Sequence, residues 1–321
     1  MKNIKVSIIM SAYNAEKYIY EAIQSVVSQT EQSWELLITD DKSTDNTLKI
    51  IKSFEDSRIK IIENISQIGL TKNLIHMIRE ARGKYIARLD ADDICKNDRI
   101  KTQADYLDSH DCVMVCSFAE SFGEKKGLLK QPLEFEKLKA NLLVGNPIVH
   151  SSVMFRKSES LNYNEEFLKT QDYEFWDRII SENLKIGIIN RPLVEFRYHK
   201  GQISHISAST QVNYSNRIRK RALERLGLNM SDEYLNEYFE FLNYNRIPSR
   251  ESFQHVKTIL ISILQLNKNK HIYKQRFLRQ VVGFILLKLI DRSFVNIKDC
   301  IKILPYIPVS VMVKYCISKY N

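Results

Sequence analysis

Two acidic groups in the chain have the residue types and spacing to do chemistry together. Asp40-Asp41, continued by Lys42-Ser43-Thr44-Asp45, and Asp90-Ala91-Asp92-Asp93 each follow a short apolar run rich in branched residues. Both groups therefore fall where a buried strand gives way to a loop. A third strand end is also polar, in Ser11-Ala12-Tyr13-Asn14. Six carboxylates gathered on one sheet edge repel one another by several kcal/mol unless a divalent cation or the donor groups of a ligand offset their charge. Oxygen ligands favour Mg²⁺ or Mn²⁺. Asp45 also has the position of a helix N-cap.

The elements that must position these groups follow from hydrophobic periodicity. Strands are predicted at 6–10, 35–39, 58–63, 85–89, 113–118, 152–155, 186–189 and 194–197. Helices are predicted between them, near 19–27, 45–54, 70–81, 98–109, 134–143 and 173–183. The first shows the pattern plainly, because Ile19, Ala22, Ile23, Val26 and Val27 fall on one helical face. Alternating strands and helices argue for an α/β domain with a mostly parallel central sheet, in which ligands bind beyond the carboxyl ends of the strands. After about residue 210 the strand signals thin out, and 214–226, 233–244, 253–266 and 273–290 read as helices. The expected division is a domain over 1–207 and a helical region over 208–321.

Composition sets the outer limits. The chain has 321 residues, 44% of them hydrophobic and 27% charged, which is the composition of a folded protein. Its nine glycines form neither G-x-G-x-x-G nor a P-loop, so any phosphate is held another way. Cys95, Cys112, Cys116, Cys300 and Cys316 lack the dense spacing of a disulfide scaffold and read as reduced thiols of a cytosolic compartment. The start mimics a signal peptide, but polar residues from Asn14 onward cut its apolar run short, and it reads as a first strand. Net charge is +10, unevenly placed: residues 1–210 hold 29 Lys and Arg against 30 Asp and Glu, and the remainder holds 19 against 8. No apolar run is long enough to predict a spanning helix. The basic region, with Arg217-Ile-Arg-Lys-Arg221 and apolar stretches at 281–290 and 303–313, has the composition of interfacial helices. Phe284, Leu286, Leu287 and Ile290 are the expected membrane contacts.

In order along the chain, VSIIMSAYNAEKYIYEAIQSVVSQT, WELLITDDKSTDNT, GLTKNL, GKYIARLDADDICKNDRI, VHSSVMFRK, QDYEFWDRI and FRYHKGQIS resemble the family-2 glycosyltransferases over roughly residues 4–205. The resemblance implies the GT-A nucleotide-sugar-binding fold, a nucleotide-diphosphate sugar donor, a divalent metal (Mn²⁺ or Mg²⁺) and inverting single-displacement transfer to an acceptor hydroxyl. It implies that Tyr13 lies against the nucleobase, a stack worth roughly 1–3 kcal/mol. Asp41 would accept from the uracil imide N–H and Asp90 would bind the ribose. Asp92 would ligate the metal, with Asp93 assisting or orienting the donor sugar. Lys72 and Arg88 are candidate charge partners. Asp172 matches the catalytic base, which must reach the acceptor hydroxyl. His199 could ligate the metal or donate to phosphate, and Arg197 could grip phosphate with two parallel bonds, in a segment resembling the family's closing loop. Trp176 could stack on the acceptor sugar. His150 is a further polar candidate. Lys42 stands where the family commonly has Gly, and Gln171 where many members carry Glu.

The expected activity is therefore transfer of a hexose or N-acetylhexosamine, from a UDP-sugar, to a glycan or lipid-linked saccharide in surface polysaccharide or lipooligosaccharide synthesis. The expected place is the inner face of the cytoplasmic membrane, with an anionic membrane surface as partner and no nucleic acid. A non-UDP donor is the nearest alternative. A nucleic-acid-binding protein is the other, suggested by the basic region alone, which carries no recognised nucleic-acid motif.

Overall fold

The computed structural model describes residues 4–199, 201–202, 208–291 and 296–320. It divides into two compact units, Met1–Phe135 with Pro147–Gln211, and Glu136–Asn146 with Val212–Asn321. The segment 136–146, predicted as part of the first domain, belongs with the second unit.

The first unit is built on one sheet. Its parallel part consists of β1 (Val6–Ala12), β2 (Trp34–Asp40), β3 (Ile59–Glu63) and β4 (Tyr85–Arg88), in the order β3-β2-β1-β4. The helices α1 (Ile19–Val27), α2 (Thr47–Lys52) and α3 (Leu70–Glu80) connect them. Val6, Ile8, Met10, Leu36, Ile38, Tyr85 and Ala87 are fully buried, and Ile19, Ala22, Ile23 and Val26 of α1 join them in one apolar cluster. Each such side chain contributes about 1.5–3 kcal/mol by leaving water. β1, β2 and β4 are buried on both faces, so they read as continuous apolar runs with no alternation.

Beyond β4 the sheet becomes mixed. The two-residue β5 (Ile94–Cys95), α4 (Arg99–Ser109), β6 (Met114–Gly123), β7 (Gly127–Leu129), α5 (Phe135–Leu142), β8 (Val153–Arg156), α6 (Gln171–Ser181) and β9 (Ile186–Tyr198) follow. β8 runs antiparallel between β4 and β6. β9 is parallel to β6, and β5 pairs antiparallel with β9. The two strands predicted at 186–189 and 194–197 are one strand. A register shift in β9, opposite Ser117, Phe118 and Ala119 of β6, absorbs the polar stretch and sets Pro192 opposite Phe118.

The second unit contains α7 (Ala208–Arg225), α8 (Asp232–Tyr244), α9 (Arg250–Lys270), α10 (Gln275–Ile290), α11 (Ile297–Ile303) and α12 (Val309–Tyr320). Ser231, Ser249 and Asn296 cap α8, α9 and α11 by accepting from the N–H groups of Tyr234, Ser252 and Asp299. Phe253, Val256, Ile259, Leu260 and Ile263 of α9 pack with Leu278, Val282, Leu286 and Leu289 of α10 in its core. This corrects the expected membrane contact on α10: Leu286 is fully buried, Leu287 and Ile290 are half-buried, and Phe284 alone of the four is exposed. The ring of Phe284 meets Tyr315 edge-on. Gly283 lets the segment before α12 pack closely on α10, because a Cβ there would lie 2.9 Å from Pro308 Cδ. Among the described residues, no single helix is long and apolar enough to cross a membrane.

Candidate active site

β4 carries the chain to Asp90 at the carboxyl end of the parallel strands. The turn that follows is held from three sides. Ser151 accepts from the Asp90 N–H (3.0 Å) and donates to Asp90 Oδ2 (2.8 Å). Arg88, completely buried, ion-pairs with Asp90 Oδ1. From β9, the Arg197 N–H donates to Asp93 Oδ1 (2.9 Å), and Arg197 Nε–H donates to the carbonyl of Asp92 (2.8 Å). His199 Nε2 lies 2.9 Å from Asp92 Oδ2 and its ring packs against Tyr18.

These contacts decide the charge of the loop. Burial acts most strongly on Asp90 and would raise its pKa, but the Arg88 charge, His150 and the Ser151 hydrogen bond bring it below the ordinary value. Burial and the neighbouring Asp90 charge raise Asp92 against the pull of His199. Burial, then Asp92 and Asp90, push Asp93 well above the usual carboxylate range. The loop therefore favours a cation.

Asp92 and His199 can supply part of a cation site. No group of three or more His, Cys, Asp and Glu side chains placed to hold a metal ion occurs among the described residues, so a cation here would need its remaining ligands from outside the chain. That suits Mg²⁺ or Mn²⁺, which bind few protein carboxylates and complete their shell with phosphate oxygens and water. The residues present fit such an ion.

Ser151 belongs to a turn, His150–Ser152, that leads into β8. His150 Nε2 is 2.7 Å from Tyr163 Oη. Burial and the Arg88 charge push the imidazole down to about 3, so it is neutral near pH 7. The phenol of Tyr163 is raised by burial and feels the charges of Asp172 and Asp90. Asp172 is half-buried in the first turn of α6, behind Thr170, which has φ 55°. A β-branched residue in the left-handed region costs about 1–3 kcal/mol and marks a turn held by its surroundings. Trp176, a proposed sugar platform, is fully buried against Phe175 and His150, so it is core.

The other acidic group is differently engaged. Asp41 accepts from Asn64 Nδ2 (2.8 Å) and from the N–H groups of Ile68 (2.9 Å) and Gly69 (2.9 Å), and it is nearly inaccessible. Asp40 accepts from the Ser43 N–H, and its other oxygen is buried without a partner. Asp45 accepts from the N–H groups of Thr47 and Glu16, stapling two loops together. Helix α2 begins only at Thr47, so Asp45 is not its N-cap. Lys42 adopts φ 65°, the left-handed conformation that glycine takes without strain. Tyr13 is 47% exposed just beyond β1.

The six carboxylates thus form two groups. Asp90, Asp92 and Asp93 interact directly, whereas Asp40, Asp41 and Asp45 hold loops. Two residues expected to touch a ligand are engaged within the protein. Arg88 is sealed beneath Asp90. Arg197 is engaged by Asp92, by Glu21 and by the rings of Tyr18 and Phe122. Lys72 is exposed on α3 and makes no ion pair among the described residues. Of the segment expected to close over the diphosphate, Lys200 and residues 203–207 lie outside the described residues. Sequence reasoning missed Ser151, Tyr163 and Glu21. Ser151 had a signal, in its place beside His150 before a strand.

Residues 7–180 match the model of Glycosyl transferase family 2. An uncharacterized glycosyltransferase of Haemophilus influenzae is 33% identical over 236 residues, which cover 67% of this chain and 72% of that protein. The Escherichia coli protein WfaP, a UDP-Glc:alpha-D-GlcNAc-diphosphoundecaprenol beta-1,3-glucosyltransferase, is 31% identical over 66% of this chain and 84% of its own. Among solved structures, S. aureus TarS 1-349 in complex with UDP-GlcNAc matches with a TM-score of 0.59 and 17% identity, over 89% of this chain and 87% of that one. At that identity the likeness speaks for the fold, which is the GT-A α/β architecture.

Proposed function

The chain belongs to glycosyl transferase family 2, and from that premise we propose that it moves a hexose or N-acetylhexosamine from a UDP-sugar to a hydroxyl of a lipid-linked saccharide. One observation carries this reading: the Asp92–His199 pair and Asp172 belong to one electrostatically linked neighbourhood, in which Asp92 feels the charge of Asp90, Ser151 holds Asp90, and the adjacent His150 meets Tyr163, which feels the charge of Asp172. The donors bound by TarS and used by WfaP support a UDP-sugar, and the acceptor of WfaP supports a lipid-linked one. A bacterial surface polysaccharide is the product class. The place of action is the cytoplasmic face of the membrane.

In this reading Tyr13 stacks on the base and Asp90 faces the ribose. Asp92 and His199 would hold Mn²⁺ or Mg²⁺, which would supply positive charge to stabilise the departing diphosphate. Asp172 accepts the proton of the acceptor hydroxyl as its oxygen bonds to the anomeric carbon. The bond from that carbon to the diphosphate oxygen breaks with its electron pair, and configuration inverts. His150 stays neutral and holds the Tyr163 hydroxyl beside the base.

A screen of nucleotide sugars for donor hydrolysis with Mn²⁺ tests the reading. UDP-sugars are expected to be turned over, and excess chelator or Asp92→Ala to abolish turnover. Preference for a GDP- or dTDP-sugar would reassign the donor, and full turnover in chelator would remove the metal. Nucleic-acid binding has less support, since the excess positive charge lies outside the 7–180 match.

A further inference from the structure

The last two helices of the second unit each bury one face and expose another that is apolar. Ile303, Ile307 and Val311 are inside the helical core. On α11 and just beyond it, Ile297, Ile301 and Leu304 are 78%, 61% and 44% exposed, at spacings of four and three. On α12, Val309, Val313 and Ile317 are 73%, 52% and 56% exposed, at spacings of four. These are helical stripes of large aliphatic side chains facing water, which scattered surface hydrophobics do not form.

The charges around the stripes select the occupant. Asp299 is the sole acidic residue of 296–321, and it is turned inward, where it accepts from Arg250 Nη2 and Gln254 Nε2. Lys298, Lys302 and Lys314 are exposed. An apolar stripe flanked by cations, with the one anion of its own segment withdrawn and Asp291 of the α10 end beside Tyr315, is complementary to an anionic lipid surface. The geometry also separates lying on a bilayer from crossing it. The segments Ile297–Tyr306 and Val309–Ser318 bend by 117° at Ile307 and Pro308. Their inner faces are committed to the bundle, so they cannot straighten into one span without opening the core.

We infer that α11 and α12 dock the protein on an anionic bilayer, inserting the stripe Ile297, Ile301, Leu304, Val309, Val313 and Ile317 between headgroups. This gives the proposed lipid-linked acceptor a surface of approach and rests on that reading for its purpose, though not for its chemistry. The test is sedimentation of the full chain with phosphatidylcholine vesicles, with and without phosphatidylglycerol, at low and high salt, while donor hydrolysis is followed without vesicles. Binding is expected to anionic vesicles, to weaken with salt, and to fall about tenfold or more in Val313→Glu/Ile317→Glu. Leu128→Glu, at an exposed apolar site of the first unit, is expected to bind as wild type. Should the double variant melt early, Lys298→Glu/Lys302→Glu tests the same face through charge alone. Absence of binding by the full chain, or binding unchanged in folded variants of both kinds, overturns the inference. So does a dimer broken by these substitutions without vesicle binding, which assigns the stripe to a second copy. Lost vesicle binding with donor hydrolysis intact upholds the docking face, whereas absent hydrolysis alongside vesicle binding fails the catalytic reading alone.

Discussion

Arg197 donates from Nε to the main-chain carbonyl of Asp92 over 2.8 Å, while its own N–H donates to Asp93 Oδ1 over 2.9 Å. A cation thus braces the acidic loop through the backbone and leaves the Asp92 carboxylate to His199. Arg197→Ala removes the Nε bond to Asp92 and the pair with Glu21 but keeps the main-chain N–H to Asp93. It is expected to cost about 1.5–3 kcal/mol, the range for hydrogen bonds to charged groups. Thermal unfolding without ligand checks this. If Arg197 acted on phosphate instead, the melt would be unchanged and only the donor KM would rise.

Asp172→Asn keeps the shape of the α6 start but cannot take a proton. Donor affinity is expected to hold, and kcat to fall by about 10²–10⁴. Isothermal titration of UDP beside transfer kinetics separates the two. A variant within about twofold of wild type in kcat would move the base elsewhere.

His150 gives the fold a dependence on pH. Its imidazole ordinarily titrates at 6.5 and in the folded protein at about 3, lowered by burial and then by Arg88. The unfolded chain therefore takes up a proton at higher pH than the folded one, and stability is lost as pH falls from 6.5 toward about 3. His150→Gln removes this contribution. Urea unfolding at pH 7 and about pH 4.5 is expected to show a smaller acid loss in the variant, whatever its starting stability. Equal losses would mean that His150 is charged in the folded state.

Much of the first unit was legible because its strands are short apolar runs and its chemistry follows them. The Asp90 loop and the α1 face read directly from residue type and period. What was not legible depended on pairing. β5 and β7 are too short to carry a pattern, and β9 crosses Pro192 only because its own register shift against β6 accommodates it. The occupation of Arg88 and Arg197 was hidden for the same reason: a guanidinium has one sequence signature whether it meets a ligand or the loop beside it. On α10 the apolar run around Leu286 promised an outward face, but composition alone cannot tell a bundle core from a surface stripe. Spacing could have pointed to 297, 301 and 304 and to 309, 313 and 317, had Pro305 and Pro308 been read as dividing two short helices.

The clasp at Asp41 bears on how this enzyme can vary. The 64–69 loop is held at one carboxylate through the side chain of Asn64 and the main-chain N–H groups of Ile68 and Gly69, and Gly69 turns with φ 85°. Ile65 projects almost wholly into water, and Ser66 and Gln67 are exposed. Beyond Asn64 the path of the loop is therefore written in the backbone, while the side chains of residues 65–67 are free to drift. Mutation can rewrite the chemistry of this rim, next to the strand ends where ligands bind, without moving the scaffold beneath it.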